Sequence, residues 1–111
     1  MNKSKILFYN EQVRDSIANL PKLLKARCIA LLDRMENHGP NLGPPHTESI
    51  GEGLFELRIK AQEGIARVFF CTLVGQKIVL LHSFIKKTQK IPKKDLDIAK
   101  ERLKEVKKDG R

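Results

Sequence analysis

Residues 54–90, LFELRIKAQEGIARVFFCTLVGQKIVLLHSFIKKTQK, decide the fold. They read as three consecutive β-strands. Residues 54–60 alternate, with Phe55, Leu57 and Ile59 pointing one way and Glu56, Arg58 and Lys60 the other. Residues 65–73 and 77–85 are apolar almost throughout, rich in β-branched and aromatic side chains, and short for helices. That pattern belongs to strands covered on both faces. Ala61-Gln62-Glu63-Gly64 turns the chain between the first two strands. Gly75-Gln76 does so between the second two, where a leading glycine suits a two-residue hairpin loop.

These turns set a register. With Lys60 opposite Ile65, Arg58 stands opposite Arg67. If Gly75-Gln76 is the whole second loop, Arg67 faces Phe84 and Phe69 faces His82. Arg58, Arg67, His82 and Phe84 then share one face, with Lys86 just beyond. Like charges directly opposed across a sheet are destabilising, and an anion between them removes the penalty. The competing arrangement pairs Arg58 with Glu56 or with a carboxylate from a helix. A one-residue slip in the second loop would replace Phe84 by Ser83 and turn His82 away.

The rest of the chain is built around this sheet. Residues 4–9 (SKILFY) form a short apolar strand ending at Asn10, a suitable N-cap followed by Glu11 and Gln12. The helix so opened carries Val13, Ile17 and Leu20 in one stripe and stops near Pro21. A second helix starts with Pro21 at or near its first position, repeats Leu24, Cys28, Leu31 and Met35 at helical spacing, and ends at Gly39-Pro40. Two such helices form an αα-hairpin that covers one sheet face. Residues 39–53, GPNLGPPHTESIGEG, are rich in proline and glycine and read as a surface loop carrying His46. Pro92 opens a last helix over 93–108, with Leu96, Ala99, Leu103 and Val106 along a narrow apolar stripe.

At 111 residues the chain is expected to form one domain over 1–111 with a real core. Its 22 Lys+Arg against 13 Asp+Glu leave a net charge of +9, an argument for an anionic partner such as nucleic acid, a membrane surface or an acidic protein. The N-terminal MNKSKILFYNEQ lacks a signal-peptide pattern, and no run approaches the roughly 18–20 apolar residues of a membrane span. Cys28 and Cys71 lie in apolar surroundings and read as buried reduced thiols, so a cytoplasmic location without a membrane partner is expected. Neither metal-ligand spacing nor a glycine-rich phosphate loop occurs, so no metal and no cofactor are expected.

Three motifs now stand in order: Leu54-Phe55-Glu56-Leu57-Arg58, Ala66-Arg67-Val68-Phe69-Phe70, and the run from Leu80-Leu81-His82-Ser83-Phe84 through Ile85-Lys86-Lys87-Thr88-Gln89-Lys90 to Ile91-Pro92. The chain resembles the RelE/ParE superfamily of bacterial toxins through them, and within it the phage-derived HigB-type branch. The pattern there is an LxELR strand, an arginine early in the next, and a closing LLHxFxKKTxKxP. The resemblance implies an α+β, RelE-like fold: an antiparallel four-stranded sheet against an N-terminal αα-hairpin, with a C-terminal helix, in the order β-α-α-β-β-β-α. It implies the toxin of a type II toxin–antitoxin system, whose usual activity is ribosome-dependent, metal-independent cleavage of mRNA by 2′-hydroxyl attack on the neighbouring phosphate. Implied partners are the ribosome and mRNA and a cognate HigA-like helix-turn-helix antitoxin, with operator DNA reached only through that antitoxin.

Such attack needs a base, charge stabilisation at phosphorus and a proton for the leaving oxygen. Arg67 matches the strand arginine of the resemblance and offers a planar fork to phosphate oxygens; a structural carboxylate pair is the bland alternative. Lys86 and Lys87 stand where the resemblance places a basic residue, and neighbouring cations would lower a lysine pKa there. His82 is the only histidine on the sheet and a candidate for proton transfer, though a hydrogen-bonded core histidine is equally in keeping with its strand. Glu56 is either a base or the partner of Arg58. Arg67, Lys87, His82 and Lys86 are thus the catalytic candidates, and Arg58, Lys60, Phe84, Thr88, Gln89 and Lys90 the RNA-binding ones. The sole tyrosine, Tyr9, lies in the first strand, whereas many ribosome-dependent relatives carry one near the C-terminus; base stacking then falls to Phe84 or an arginine plane. Two other functions compete: a ParE-like, non-enzymatic gyrase poison, and a non-toxic RNA-binding module.

Overall fold

The computed structural model describes residues 3–86 and 90–109. In chain order these form β1 (Lys5–Phe8), α1 (Glu11–Ala18), α2 (Lys22–His38), β2 (Thr47–Gly51), β3 (Leu54–Ala61), β4 (Gly64–Leu73), β5 (Lys77–Lys86) and α3 (Lys93–Lys108). The strands make one sheet in the order β1-β5-β4-β3-β2. It is antiparallel except where β1 runs parallel to β5. The fold is α+β and consistent with a RelE-like arrangement. No helix among the described residues is long and apolar enough to cross a membrane.

The sheet has five strands, not four. The extra strand, β2, comes from the stretch expected to be loop throughout. Thr47 turns its side chain inward, where its Oγ1 accepts a hydrogen bond from the Gly43 amide at 2.9 Å, while Glu48 and Ser49 stay exposed. The return into β3 needs left-handed backbone at Gly51, Glu52 and Gly53 in succession (φ 117°, 55° and 85°), a demand that glycine meets without strain. Flanking glycine and proline therefore disguise a hairpin as a loop.

The second hairpin also departs from expectation. Its loop is three residues, Val74-Gly75-Gln76, with Leu73 opposite Lys77. That is the one-residue slip which alone would turn His82 away. A β-bulge offsets it: Phe70 pairs with Leu80 but Phe69 pairs with His82, leaving Leu81 without an opposite residue. From there on Arg67 faces Phe84, and Arg58 faces Arg67 across β3 and β4. The register around the basic residues is the predicted one, reached by two irregularities that cancel.

Helix ends follow local chemistry. The Asn10 side chain accepts from the Val13 amide at 2.9 Å and opens α1. Pro21 offers α2 no side-chain cap. Glu63 in the β3–β4 turn supplies one, accepting from the Leu24 amide at 2.9 Å, and so ties helix to sheet. Left-handed Gly39 closes α2.

The two helices lay Val13, Ile17, Leu24, Cys28, Leu31 and Met35 over Leu57, Ile59, Val68, Phe70 and Leu80. Each large side chain so buried is worth roughly 1.5–3 kcal/mol. On the opposite face α3 sets Ala99, Leu103 and Val106 on Leu54, Phe69, Cys71, Val79 and Leu81. Beyond Phe69 that same face changes character, and Glu56, Arg58, Arg67 and Lys86 take over from the apolar residues.

Candidate anion-binding site

Alternation along three adjacent strands delivers the basic cluster. Arg58 on β3 and Arg67 on β4 are direct neighbours, and Lys86 ends β5 two residues beyond Phe84 on the same face. Arg67 and Lys86 are only 4% and 5% exposed, and Glu56 1%. Charged side chains are almost never buried to this degree without partners. The partner is Glu56. Its Oε2 accepts from Nη1 of Arg67 in a short, fully buried contact, and its Oε1 lies 3.6 Å from Nη2 of Arg58. Arg58 also reaches Glu48 at 3.9 Å on the exposed edge strand.

One buried carboxylate is set against three cations. A pair of unit charges about 4 Å apart near a protein surface interacts by roughly 4 kcal/mol, so Glu56 leaves the cluster positive. Hydrogen bonding shows the same deficit: Arg58 Nε, Arg67 Nε and Lys86 Nζ are all buried and have no acceptor among the described residues. A buried donor without a partner costs about 1–3 kcal/mol, and more when charged. Lys86 carries the electrostatic signature. Burial first, and then the positive charge of Arg67 and Arg58, pushes its pKa below the ordinary lysine value, with Glu56 partly offsetting them. The cluster thus holds a surplus of positive charge and of unused donors among the described residues.

His82 and Phe84 lie alongside, toward α3. Their rings stack with centroids 5.8 Å apart, and Phe84 in turn meets Phe69 at 5.6 Å. His82 Nε2 is 2.7 Å from Oδ1 of Asp95, in the first turn of α3, where a carboxylate also complements the helix dipole. On the other face of β5, Ser83 and Ser16 share a short hydroxyl contact that ties α1 to the strand. His82 and Lys86 stand four residues apart on one strand, roughly 13 Å. The histidine therefore belongs with Asp95 and Phe84, and Arg58, Arg67 and Lys86 belong together.

Residues 15–104 match the family described as phage-derived protein Gp49-like. The chain belongs to the Gp49-like family. That family falls in the RelE/HigB toxin-like group. A search of curated proteins returned no significant match. In this Gp49-like chain the matched span takes in every residue of the cluster, together with Asp95.

Of the residues singled out in the Gp49-like sequence, Arg58, Arg67 and Lys86 converge, and Phe84 borders them. Lys60 follows on β3 with its side chain exposed, and Lys90 is exposed ahead of α3. Lys87, Thr88 and Gln89 lie outside the described residues. Sequence reading missed Asp95. Its one signal was an acid following two lysines in the first turn of the last helix, which says nothing of a histidine 13 positions earlier. Glu56 was legible as a charged neighbour of Arg58; that it would close on Arg67 as well was not.

Proposed function

We propose that this Gp49-like protein is a toxin of the RelE/HigB kind that cleaves RNA by 2′-hydroxyl attack on the adjacent phosphate. The observation that carries this reading is the cluster of half-buried Arg58 with buried Arg67 and Lys86, where, among the described residues, three buried cationic donors lack acceptors and a single carboxylate is buried. A phosphodiester supplies the missing acceptors. Arg67 and Arg58 hold its non-bridging oxygens and stabilise the charge that builds there during attack. The 2′-oxygen bonds to phosphorus as the bond to the 5′-oxygen breaks, giving a 2′,3′-cyclic phosphate and a 5′-hydroxyl.

Two protons move. Once a phosphate draws the arginines, Glu56 is released to accept the proton of the 2′-hydroxyl. Lys86, whose lowered pKa makes its ammonium a better acid, donates to the leaving 5′-oxygen. Phe84, steadied by its stack with His82 and by the His82–Asp95 contact, offers a ring to a neighbouring base.

The test is cleavage of a message on programmed ribosomes and as free RNA by wild type, Arg67→Ala and Arg67→Lys. Wild type is expected to cut at ribosome-held codons. Loss of the guanidinium lowers the rate roughly hundred- to thousandfold, equivalent to about 3–4 kcal/mol. Retention of charge in Arg67→Lys separates that loss from a folding defect. Growth arrest on expression without cleavage by any of the three proteins overturns the nuclease and points to a non-enzymatic poison.

A further inference from the structure

Next to the cluster, where α2 passes the start of β2, a groove of about 320 Å³ opens on the surface. Its charged lining is entirely basic: Arg27 and Arg34 from α2, Arg58 and Lys60 from β3, with His46 from the loop before β2. No carboxylate among the described residues lines it. Arg27 and Arg34 stand seven residues apart, two helical turns, so both project from one side of α2 about 10 Å from each other. Arg27 is held toward the sheet by its Nη1, which donates to the Lys60 carbonyl at 2.7 Å. The floor is apolar, from Leu31 and Ile59.

Arg58 belongs to this groove and to the charged cluster at once, and its buried Nε has no acceptor among the described residues. The two sites are therefore continuous. Of the groove's cations only Arg58 has carboxylate partners among the described residues, Glu56 at 3.6 Å and Glu48 at 3.9 Å, and an anion in the groove offsets the repulsion that remains. An apolar floor between phosphate-matched forks suits a chain that alternates phosphates with flat, weakly polar faces.

We infer that this groove carries the backbone of single-stranded RNA away from the cluster, with Arg27 and Arg34 each meeting one phosphate. The inference rests on the nuclease reading for its direction, and its test is a binding measurement that stands apart from cleavage. The probe is a labelled, 2′-O-methylated oligonucleotide, which cannot react, titrated by fluorescence anisotropy over a range of salt concentrations. Each phosphate contact contributes a slope of about 0.7 in log K against log salt for single strands. Arg27→Gln/Arg34→Gln is expected to bind several-fold more weakly at low salt and to lose about 1.4 of slope. Lys104→Gln/Lys108→Gln on α3 removes the same charge away from the groove and is expected to keep the wild-type slope. All four positions are exposed, and a thermal melt confirms that each variant folds.

Equal slopes for both double variants overturn the inference, as does a wild type that does not bind at low salt. So does a groove variant that binds RNA normally but has lost wild-type binding to a glutamate-rich peptide, which assigns the groove to a protein partner. A wild type that cuts RNA while the groove variant binds normally removes the groove alone. One that binds through the groove and never cuts removes the nuclease reading alone.

Discussion

Two halves of one sheet face, laid down by the same three strands, are built on opposite terms. Under α3, Leu54, Phe69, Cys71, Val79 and Leu81 are all at most 5% exposed and pack as an ordinary core. Starting with Glu56 opposite Phe69 and running on to Arg67 and Lys86, the same face is buried as deeply but charged, and three cationic donors there lack acceptors among the described residues. Burial by itself therefore does not mark a stabilising core. In the first half it removes apolar surface from water, which favours folding. In the second it strips water from ions, a cost that imperfect pairing does not recover. On the proposed reading, the second half is kept for the phosphate it binds.

The most direct way to break this comparison is to damage the apolar half. Phe69→Ala removes a fully buried ring that also supports Phe84. It is expected to cost about 3–5 kcal/mol, read as a lower midpoint in urea at unchanged slope. A loss under about 1 kcal/mol would mean that α3 contributes little to the face it covers.

The converse substitution sharpens it. Glu56→Leu/Arg67→Met replaces the buried ion pair by side chains of similar size. Stability is expected to hold or to rise by about 1–4 kcal/mol, with RNA cleavage abolished. Marked destabilisation would instead make the pair a structural element.

The smallest effect concerns pH. Because the folded pKa of Lys86 lies below that of the unfolded chain, the unfolded state binds more protons between the two values. Stability gained at Lys86 therefore rises with pH through that window, up to the ordinary lysine value of 10.5. Lys86→Met is expected to melt higher than wild type near neutral pH, with the gap narrowing as pH approaches 10.5. A gap that does not change with pH would mean that Lys86 is fully compensated.

The same contrast explains what was legible in the chain. Alternation in 54–60 and the short β3–β4 turn placed Arg58 against Arg67, because side-chain period and turn length leave little freedom. The capped amphipathic stripes gave the helices closely, and the last helix, 93–108, to the residue. β2 escaped because its strand pattern spans only five residues between glycines and prolines. The three-residue loop and the bulge escaped together, since each is silent unless the other is known. Site chemistry was the least legible. Whether Arg67 meets Glu56, and whether His82 meets Asp95, depends on side-chain rotamers and on where α3 lands, neither of which periodicity records.

The parallel β1 has a consequence for the order in which this molecule assembles. Lys5 pairs with Lys77, 72 positions away, whereas the charged half of the face is made wholly by hairpins between consecutive strands. Closing a long loop costs more entropy than closing a short one, and non-local pairing is correspondingly slow. The β3–β4–β5 meander can thus bring Arg58, Arg67 and Lys86 together while β1 is still unpaired. In the growing chain the cluster is complete once β5 has emerged, ahead of α3, and a polyanion can meet it before the far half of the face is sealed.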